Sequence, residues 1–521
     1  MMNRVYLLGV CLLLLGVQGI AYSSNVHFNF AIADKRGDTD VLIAEFLDPG
    51  DTGIGKSLSY LVWRELLTAI GNQTGKSVIL LNPAEETLLE ELKQGRHEAA
   101  LELAQKYRAS MVLWGDVKVR KSSAGSRVLV SSFLTLNPEA YSRDLFLTMK
   151  VESEKKDYQF QENISKSRFN FKRFDMRSEE VFARQLITRI PAILREQPAA
   201  AAPVVQRLPA GIVLSANDMH GTWFEVRMPE GSVAYIAGNE VSVGPRLAGQ
   251  LQTQTDGQSR FTMPVEHFVE GLSYYPSRRF EDAYRAFHQF IHWPGVNASN
   301  DSLASAYRWQ GASLMFKDPS RFDEVRDLEA FSQAVALSPY DPSAYNIRAL
   351  ARFGMTHQLD GVLEDLGKAL TIDNKNTAAR DMLFTLAEVG KSDALDLPDL
   401  EWVSAVAGIE RTLRTTYVKL PSEIEAPTSD PNIEGARLNV ENHTAYPLNL
   451  NFVGVVTRRV EVNAGDAQDI ELVAGEYELA VGFSQALQGR EPRVRPMYGI
   501  QTYKPNMAYV LKFYLNWQGN H

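Results

Sequence analysis

The sequence predicts a multidomain α+β protein: an N-terminal α/β domain, a small β-barrel, a run of α-helical repeats and a C-terminal β-sandwich. Three observations lead there. At 521 residues the chain is too long for one core. The spacing of its apolar residues changes along the chain, mixed at first, then short strand-like runs, then helical spacing, then period two. Between the first two regions, Gln197-Pro198 through Pro203 is an Ala/Pro stretch with little to bury, where a domain boundary is expected.

Composition is ordinary for a globular protein, with 45% apolar and 22% charged residues. The formal charge is -9, and removing a leader whose only charge is Arg4 makes it -10. No strongly basic block stands out, so nucleic acid and acidic membrane surfaces are not expected as partners. Arg4 precedes the apolar run Val5 to Val17, and Gly19-Ile20-Ala21 offers small residues for cleavage, so residues 1–21 read as a secretory signal peptide. The sole cysteine, Cys11, lies inside it behind Val10, where lipoprotein processing wants a small residue. Cleavage at that signal removes disulfides, thiolate metal sites and thiol catalysis from consideration. No later run is long enough to span a bilayer. A periplasmic or otherwise exported location is expected, with no stable membrane span.

Residues 25–196 read as α/β. Val41 to Phe46 is a buried strand closed by Asp48-Pro49-Gly50-Asp51 turn chemistry, and Leu58, Leu61, Val62, Leu66, Leu67 and Ile70 recur at helical spacing. Ser77 to Leu81 is a short strand, Pro83 to Arg108 helical, and Met111 to Gly115 a strand leading into a hairpin through Ser122 to Gly125. Strand-like runs follow at Leu145 to Val151, Tyr158 to Ile164 and Phe169 to Phe174. Ser178 to Arg195 is expected to close the unit as an amphipathic helix with Val181, Phe182, Leu186, Ile187 and Ile190 inward. The strand Ile43 to Phe46, Gly53-Ile54-Gly55 before the helix, and Ala109 to Val117 resemble the amino-terminal domain of TolB and related envelope proteins. That resemblance covers about a third of the chain and implies a docking platform without catalytic residues.

Gly50-Asp51-Thr52-Gly53-Ile54-Gly55-Lys56-Ser57 fits the phosphate-loop pattern between a strand and a helix. In a nucleotide-binding reading, backbone N–H groups cradle phosphates, Lys56 reaches the outer ones, Ser57 holds Mg²⁺ and Asp116 is a second metal ligand. The competing reading is a glycine-bearing turn with Ser57 near a helix start. An exported protein meets little ATP, and Gly-Lys-Ser wording recurs at Gly75 to Ser77, so the turn is expected and no cofactor with it.

Residues 207–245 compress short strands: Ile212 to Leu214, Trp223 to Arg227, Val233 to Ile236 and Glu240 to Val243, separated by Gly, Asn and Pro turns. Trp223-Phe224-Glu225-Val226, Gly231 and Ala234-Tyr235-Ile236-Ala237-Gly238-Asn239 resemble a bacterial SH3-like domain, although a glycine is more common at position 234. The resemblance implies an aromatic-lined groove for wall peptides or protein segments, with Trp223 and Tyr235 lining it. The alternative is that both rings fill the core of a very small barrel.

Residues 264–395 carry the repeats. Gly271, Tyr275, Ala283 and Phe287 place small and aromatic residues where two antiparallel helices must approach closely. A second unit holds Tyr307, Trp309, Gly311 and Leu314, then Phe331 and Ala334. A third runs from Ser343 to Asn374. Ala334 matches Ala369 and Pro339 matches Asn374, a period of 35. The whole resembles tetratricopeptide (TPR) repeats, whose usual period is about 34, and that resemblance implies a concave protein-binding groove. Tyr274, Tyr307, Arg308 and Arg348 are its expected partner-binding residues. His288 and His292 stand four apart, but Gln289 replaces the glutamate of the zinc-protease pattern and no third ligand is evident, so no metal is expected.

After helical text from Leu400 to Thr415, period-two segments from Arg437 to Val481, with Met507 to Leu515, predict a β-sandwich over 436–517. Arg493, Arg495 and Tyr498 are expected in a loop. There is no Gly-x-Ser-x-Gly elbow, no catalytic cysteine and no cluster of metal-ligand histidines, so no enzyme is expected. The leading expectation is a non-enzymatic periplasmic scaffold that binds partner proteins of the cell envelope through its repeats. The alternatives are a peptidoglycan-binding protein acting through the SH3-like domain, and a nucleotide-binding protein using Gly50 to Ser57.

Overall fold

The structure, a computed structural model, describes residues 27–31, 39–50, 52–71, 76–81, 91–92, 96–122, 125–141, 146–152, 158–164, 166–177, 181–246, 263–293, 298–317, 324–356, 359–390, 400–420, 427–483 and 495–514. The expected signal peptide, Cys11 and Arg493 lie outside these residues. The protein is mixed α+β and forms two compact units, one of Phe28–Lys150 with Gln159–Asp381, the other chiefly of Met382–His521.

The first unit begins with β1 (His27–Ala31) and β2 (Thr39–Ile43), then α1 (Ile54–Leu66) with a π-turn over Leu67–Gly71, β3 (Val78–Leu80) and α2 (His97–Lys106). The long hairpin β4 (Ala109–Ser122) and β5 (Gly125–Leu136) follows, then α3 (Pro138–Tyr141), β6 (Phe146–Glu152), β7 (Tyr158–Asn163) and β8 (Arg168–Arg177). A five-stranded sheet runs in the order β3-β2-β4-β5-β8, parallel through β3, β2 and β4 and antiparallel beyond. A second sheet takes the order β1-β6-β7. Leu42, Ala44, Val112 and Trp114 share a core with Ala99, Leu103 and Ala104 of α2. The alternate residues Val41, Ile43, Met111 and Leu113 are equally buried, as a sheet covered on both faces requires.

Beyond Phe182 the sequence expectation fails. Instead of a helix to Arg195, the chain makes β9 (Arg184–Thr188) and β10 (Ala192–Arg195), followed by β11 (Val204–Leu208), β12 (Val213–His220), β13 (Trp223–Arg227), β14 (Val233–Ala237) and β15 (Val241–Arg246). All seven strands form one sheet in the order β11-β10-β14-β13-β12-β9-β15. Pro191 explains the failure: it has no N–H to donate and restricts the residue before it, so no helix runs through it. Leu186 and Leu194 turn inward while Ile187 and Ile190, expected inside, stand 42% and 53% exposed. The Ala/Pro stretch is the turn of the β10–β11 hairpin, so strands precede the expected domain start at residue 207.

Helices α4 (Pro264–Tyr274), α5 (Phe280–Ile291), α6 (Asn300–Lys317), α7 (Glu324–Leu337), α8 (Pro342–Thr356), α9 (Leu359–Ile372) and α10 (Thr377–Gly390) then follow one another. Each of α4 to α8 packs against the next. The close approach expected of the small residues is visible twice. A Cβ at Gly271 would lie 2.7 Å from the Phe287 ring, and one at Gly311 would lie 2.7 Å from the Phe331 ring. Tyr275 sets its ring edge-on to Trp309 at 4.7 Å and joins the first helix pair to the second.

In the second unit, α11 (Glu401–Leu413) packs on a sheet of order β16-β23-β22-β19-β20. The strands are β16 (Val418–Lys419), β17 (Thr428–Ser429), β18 (Ala436–Asn442), β19 (Leu448–Gly454), β20 (Arg458–Val462), β21 (Ala467–Leu472), β22 (Gly475–Phe483), β23 (Met497–Tyr503) and β24 (Met507–Phe513). The other four make a sheet of order β17-β24-β18-β21. Leu438 and Val440 from one sheet share a core with Leu450, Phe452 and Leu479 from the other. Along β18 buried and half-buried residues alternate, the period of two read in the sequence. Tyr498 lies in β23 rather than a loop, and its hydroxyl donates to Glu478 Oε2 at 3.2 Å.

Candidate functional site

The helices read as repeats in the sequence do not stand free. Within the first unit they meet the α/β region that precedes them. Phe169 and Phe171 of β8 pack against Phe268 of α4, with ring centroids 4.9 and 5.7 Å apart, and Phe171 also meets Phe290 of α5 edge-on at 5.7 Å. Around this aromatic seam lie polar ties. Ser302 Oγ donates to Asn170 O at 3.3 Å, and Lys166 pairs with Asp301 at 3.1 Å. Tyr274 Oη sits 2.9 Å from both Ala69 O and Glu270 Oε1, and Lys76 Nζ donates to Ser273 O.

At α8 the contact becomes a grip on one carboxylate. Glu162 of β7 is 7% exposed. Its Oε1 accepts from Ser343 Oγ at 3.0 Å and from the Asn163 amide at 2.9 Å, and its Oε2 accepts from Asn346 Nδ2 at 2.6 Å. Asn346 is itself fixed by Asn376 Oδ1 at 2.8 Å. Burial pushes the Glu162 carboxyl above its ordinary range, opposed by the hydrogen bonds from Asn346, the Asn163 amide and Ser343 and by the Arg308 charge. Ser343 falls in the first turn of α8, where the free N–H ends favour an anion nearby, and Asn346 opens the second turn. One extended strand with one buried carboxylate is thus seated against the start of α8.

Three of the four residues expected in the groove are tied down inside the chain. Tyr274 is buried and held as described, with the Arg279 guanidinium 4.4 Å from its ring centre. Arg308 is buried and donates to Asp341 Oδ2 at 2.6 Å. Arg348 clasps Asp365 with Nε to Oδ2 at 3.0 Å and Nη2 to Oδ1 at 2.6 Å, while Arg352 reaches the same carboxylate at 2.9 Å. Tyr307 is half-buried, its phenol pushed up by burial and by the Glu329 charge. Sequence reasoning missed Ser343, Asn346 and Glu162. Only the buried-exposed alternation around Glu162 carried a local trace of it.

The seven-stranded sheet places Trp223 and Tyr235 on the face away from its core. Phe224, Val226, Ala234 and Ile236 are buried, while Trp223 and Tyr235 point the other way and are half-buried. Trp223 pairs with Ala237 and Glu225 with Tyr235, so both rings share one face of β13 and β14. His220 sets its ring edge-on to Tyr235 at 5.3 Å and places Nε2 2.9 Å from Glu225 Oε2. Burial, then the Glu225 charge, pushes the Tyr235 phenol up.

The phosphate-loop segment is spent on internal contacts. Asp48 Oδ2 accepts from Thr52 Oγ1 at 2.8 Å, from the Ile54 amide at 3.1 Å and from the Gly55 amide at 3.4 Å. A carboxylate of the chain thus takes the helix-start N–H groups that a phosphate would use. The Ser57 hydroxyl accepts from the Gly221 amide at 2.7 Å and lies within 3.3 Å of Met219 O, seating the β12–β13 turn on α1.

Among the described residues no group of three or more His, Cys, Asp or Glu is placed to hold a metal, and no helix is long and apolar enough to cross a membrane. No protein-family model matches the chain, and no curated protein does. Part of the chain is similar to the PelC dodecamer of Paraburkholderia phytofirmans, at 17% identity and a TM-score of 0.14, over 22% of this chain and 74% of that one. The same dodecamer with one leucine-to-methionine substitution gives 17% identity and a TM-score of 0.15, over 22% and 73%. Matches at that level do not establish a shared fold.

Proposed function

We propose that the chain is a non-enzymatic scaffold of the cell envelope, exported to the periplasm, whose TPR-like repeats hold protein segments. The observation that supports this reading is the seat of Glu162. The helices hold two neighbouring strands, β8 by an aromatic seam and β7 by a carboxylate grip at the start of α8, and a repeat surface that recognises a segment of chain would use the same contacts. The TolB-like region supplies that strand in cis, and a partner protein in this reading engages the array beside it, at Tyr307 and at Tyr340, which is 86% exposed in the α7–α8 turn. The test is recovery of cross-linked partners from intact cells with the full chain and with Tyr307→Ala/Tyr340→Ala. A partner set lost in the variant supports the scaffold, and an unchanged set removes the repeats from the function.

A second reading has one specific observation in its favour. Trp223 and Tyr235 sit outside the sheet core, so the small β module is available as an SH3-like binder of wall peptides. Purified peptidoglycan retained by the full chain and released by Trp223→Ala/Tyr235→Ala would favour it over the scaffold.

A further inference from the structure

Helix α5 carries His288 and, at its C-cap, His292, one turn further on. Both side chains are exposed, and their ring centroids are 4.0 Å apart with planes inclined by 35°.

The Nδ1 atoms are already engaged. His292 Nδ1 lies 2.9 Å from the His288 carbonyl oxygen, which only accepts, so Nδ1 carries the proton and Nε2 keeps a lone pair. His288 Nδ1 lies 3.2 Å from the side-chain nitrogen of Gln310 on α6, which as placed donates to it. Turning that amide over brings its oxygen to Nδ1 and gives His288 the same tautomer, since the two ends of the amide have the same shape. Tyr284 stacks on His288 at 5.7 Å and backs that ring. Orientation of a ring through Nδ1, leaving Nε2 outward, is the outer-shell arrangement that metal-binding histidines use.

We propose that His288 and His292 form a two-imidazole site for a borderline divalent cation such as Cu²⁺, Ni²⁺ or Zn²⁺, bound through the two Nε2 atoms. Imidazole nitrogen suits these ions, and water completes the coordination sphere. The missing third protein ligand, which set the pair aside at the level of sequence, makes the site open and exchangeable rather than structural.

The test uses the full chain without a histidine tag, titrated with Cu²⁺ by calorimetry, with nitrogen hyperfine splitting read by electron paramagnetic resonance. The expected result is one equivalent of Cu²⁺ with two equatorial nitrogens. His288→Ala/His292→Ala loses that equivalent, and Gln310→Ala weakens it about tenfold by freeing the His288 ring. Because both histidines are exposed, the double variant keeps its fold, checked by circular dichroism. The chain has nine histidines, so binding elsewhere is distinguished by the double variant. Equal binding by the double variant, or a signal from fewer than two nitrogens, overturns the proposal.

Discussion

Arg184 and Glu65, 119 residues apart, meet as a buried ion pair in which Arg184 Nε and Nη2 donate to the same Glu65 oxygen at 3.0 and 2.8 Å. The side chains are 0% and 3% exposed. Glu65 belongs to α1 and Arg184 to β9, so the pair pins the first α/β layer to the seven-stranded sheet. Removing one partner leaves the other charged and dry. Arg184→Met should therefore destabilise the first unit by about 3–5 kcal/mol, and Glu65→Leu added to it should restore much of the loss. Urea unfolding followed by tryptophan fluorescence measures both, and a single variant within about 0.5 kcal/mol of the parent would contradict the assignment.

Glu162 gives a prediction in two variants. Because its carboxyl is raised in the folded protein, its contribution to stability is complete below the ordinary glutamate value of 4.5 and declines as pH rises through the higher folded value. Glu162→Gln removes that decline and keeps an acceptor, so its stability should hold level over the window where the parent weakens. Glu162→Ala leaves Ser343 and Asn346 without their acceptor and should cost about 1–3 kcal/mol. Melting temperatures at stepped pH values separate the two.

His97 works with the opposite sign. Burial, the largest cause, holds it below 6.5, although its bond to Asn170 pulls the other way. Its Nδ1 and Nε2 each lie 2.8 Å from a partner oxygen, Thr135 Oγ1 and Asn170 Oδ1, and its ring meets Trp114 edge-on. The neutral ring is the folded form, so its contribution is present above 6.5 and is lost as pH falls below it. His97→Gln should flatten the acid side of the stability profile, read by urea midpoints on either side of that value.

Gly271 and Gly311 each sit beneath a phenylalanine ring. Gly271→Ala and Gly311→Ala push a methyl group to within 2.7 Å of that ring and should cost about 1–3 kcal/mol each, despite the better helix propensity of alanine. Thermal melts of both variants check this, and a stabilised variant would show that the helix pairs are looser than drawn.

The run of helices from Pro264 was legible from local text, because Gly271 and Phe287, 16 residues apart, bring two helices into contact. The strands of the second unit were legible for a similar reason, since β18 alternates as its sequence does. Three things were not. The β9–β10 segment has apolar residues that suit a helix as well as strands, and Pro191 is the single residue that decides. In Trp223-Phe224-Glu225-Val226 the period of two is plain, but nothing local says which ring turns inward. The seat of Glu162 depends on residues far along the chain, and no spacing rule reaches that distance.

That distance has a consequence for how the chain is made. Synthesis proceeds from the amino terminus at about 5–20 residues per second. Asn346 follows Glu162 by 184 residues, so tens of seconds of elongation can separate strand β7 from the helix that seats it. Phe268 follows Phe169 by 99 residues and Phe290 follows Phe171 by 119, so for the earlier part of that interval the two strand rings have no partner to cover them. The first region is thus a nascent intermediate with an apolar flank, and its completion waits on α4, α5 and α8. A chain interrupted between β8 and α4 would be a client for holding chaperones, and one carried through α5 would release them.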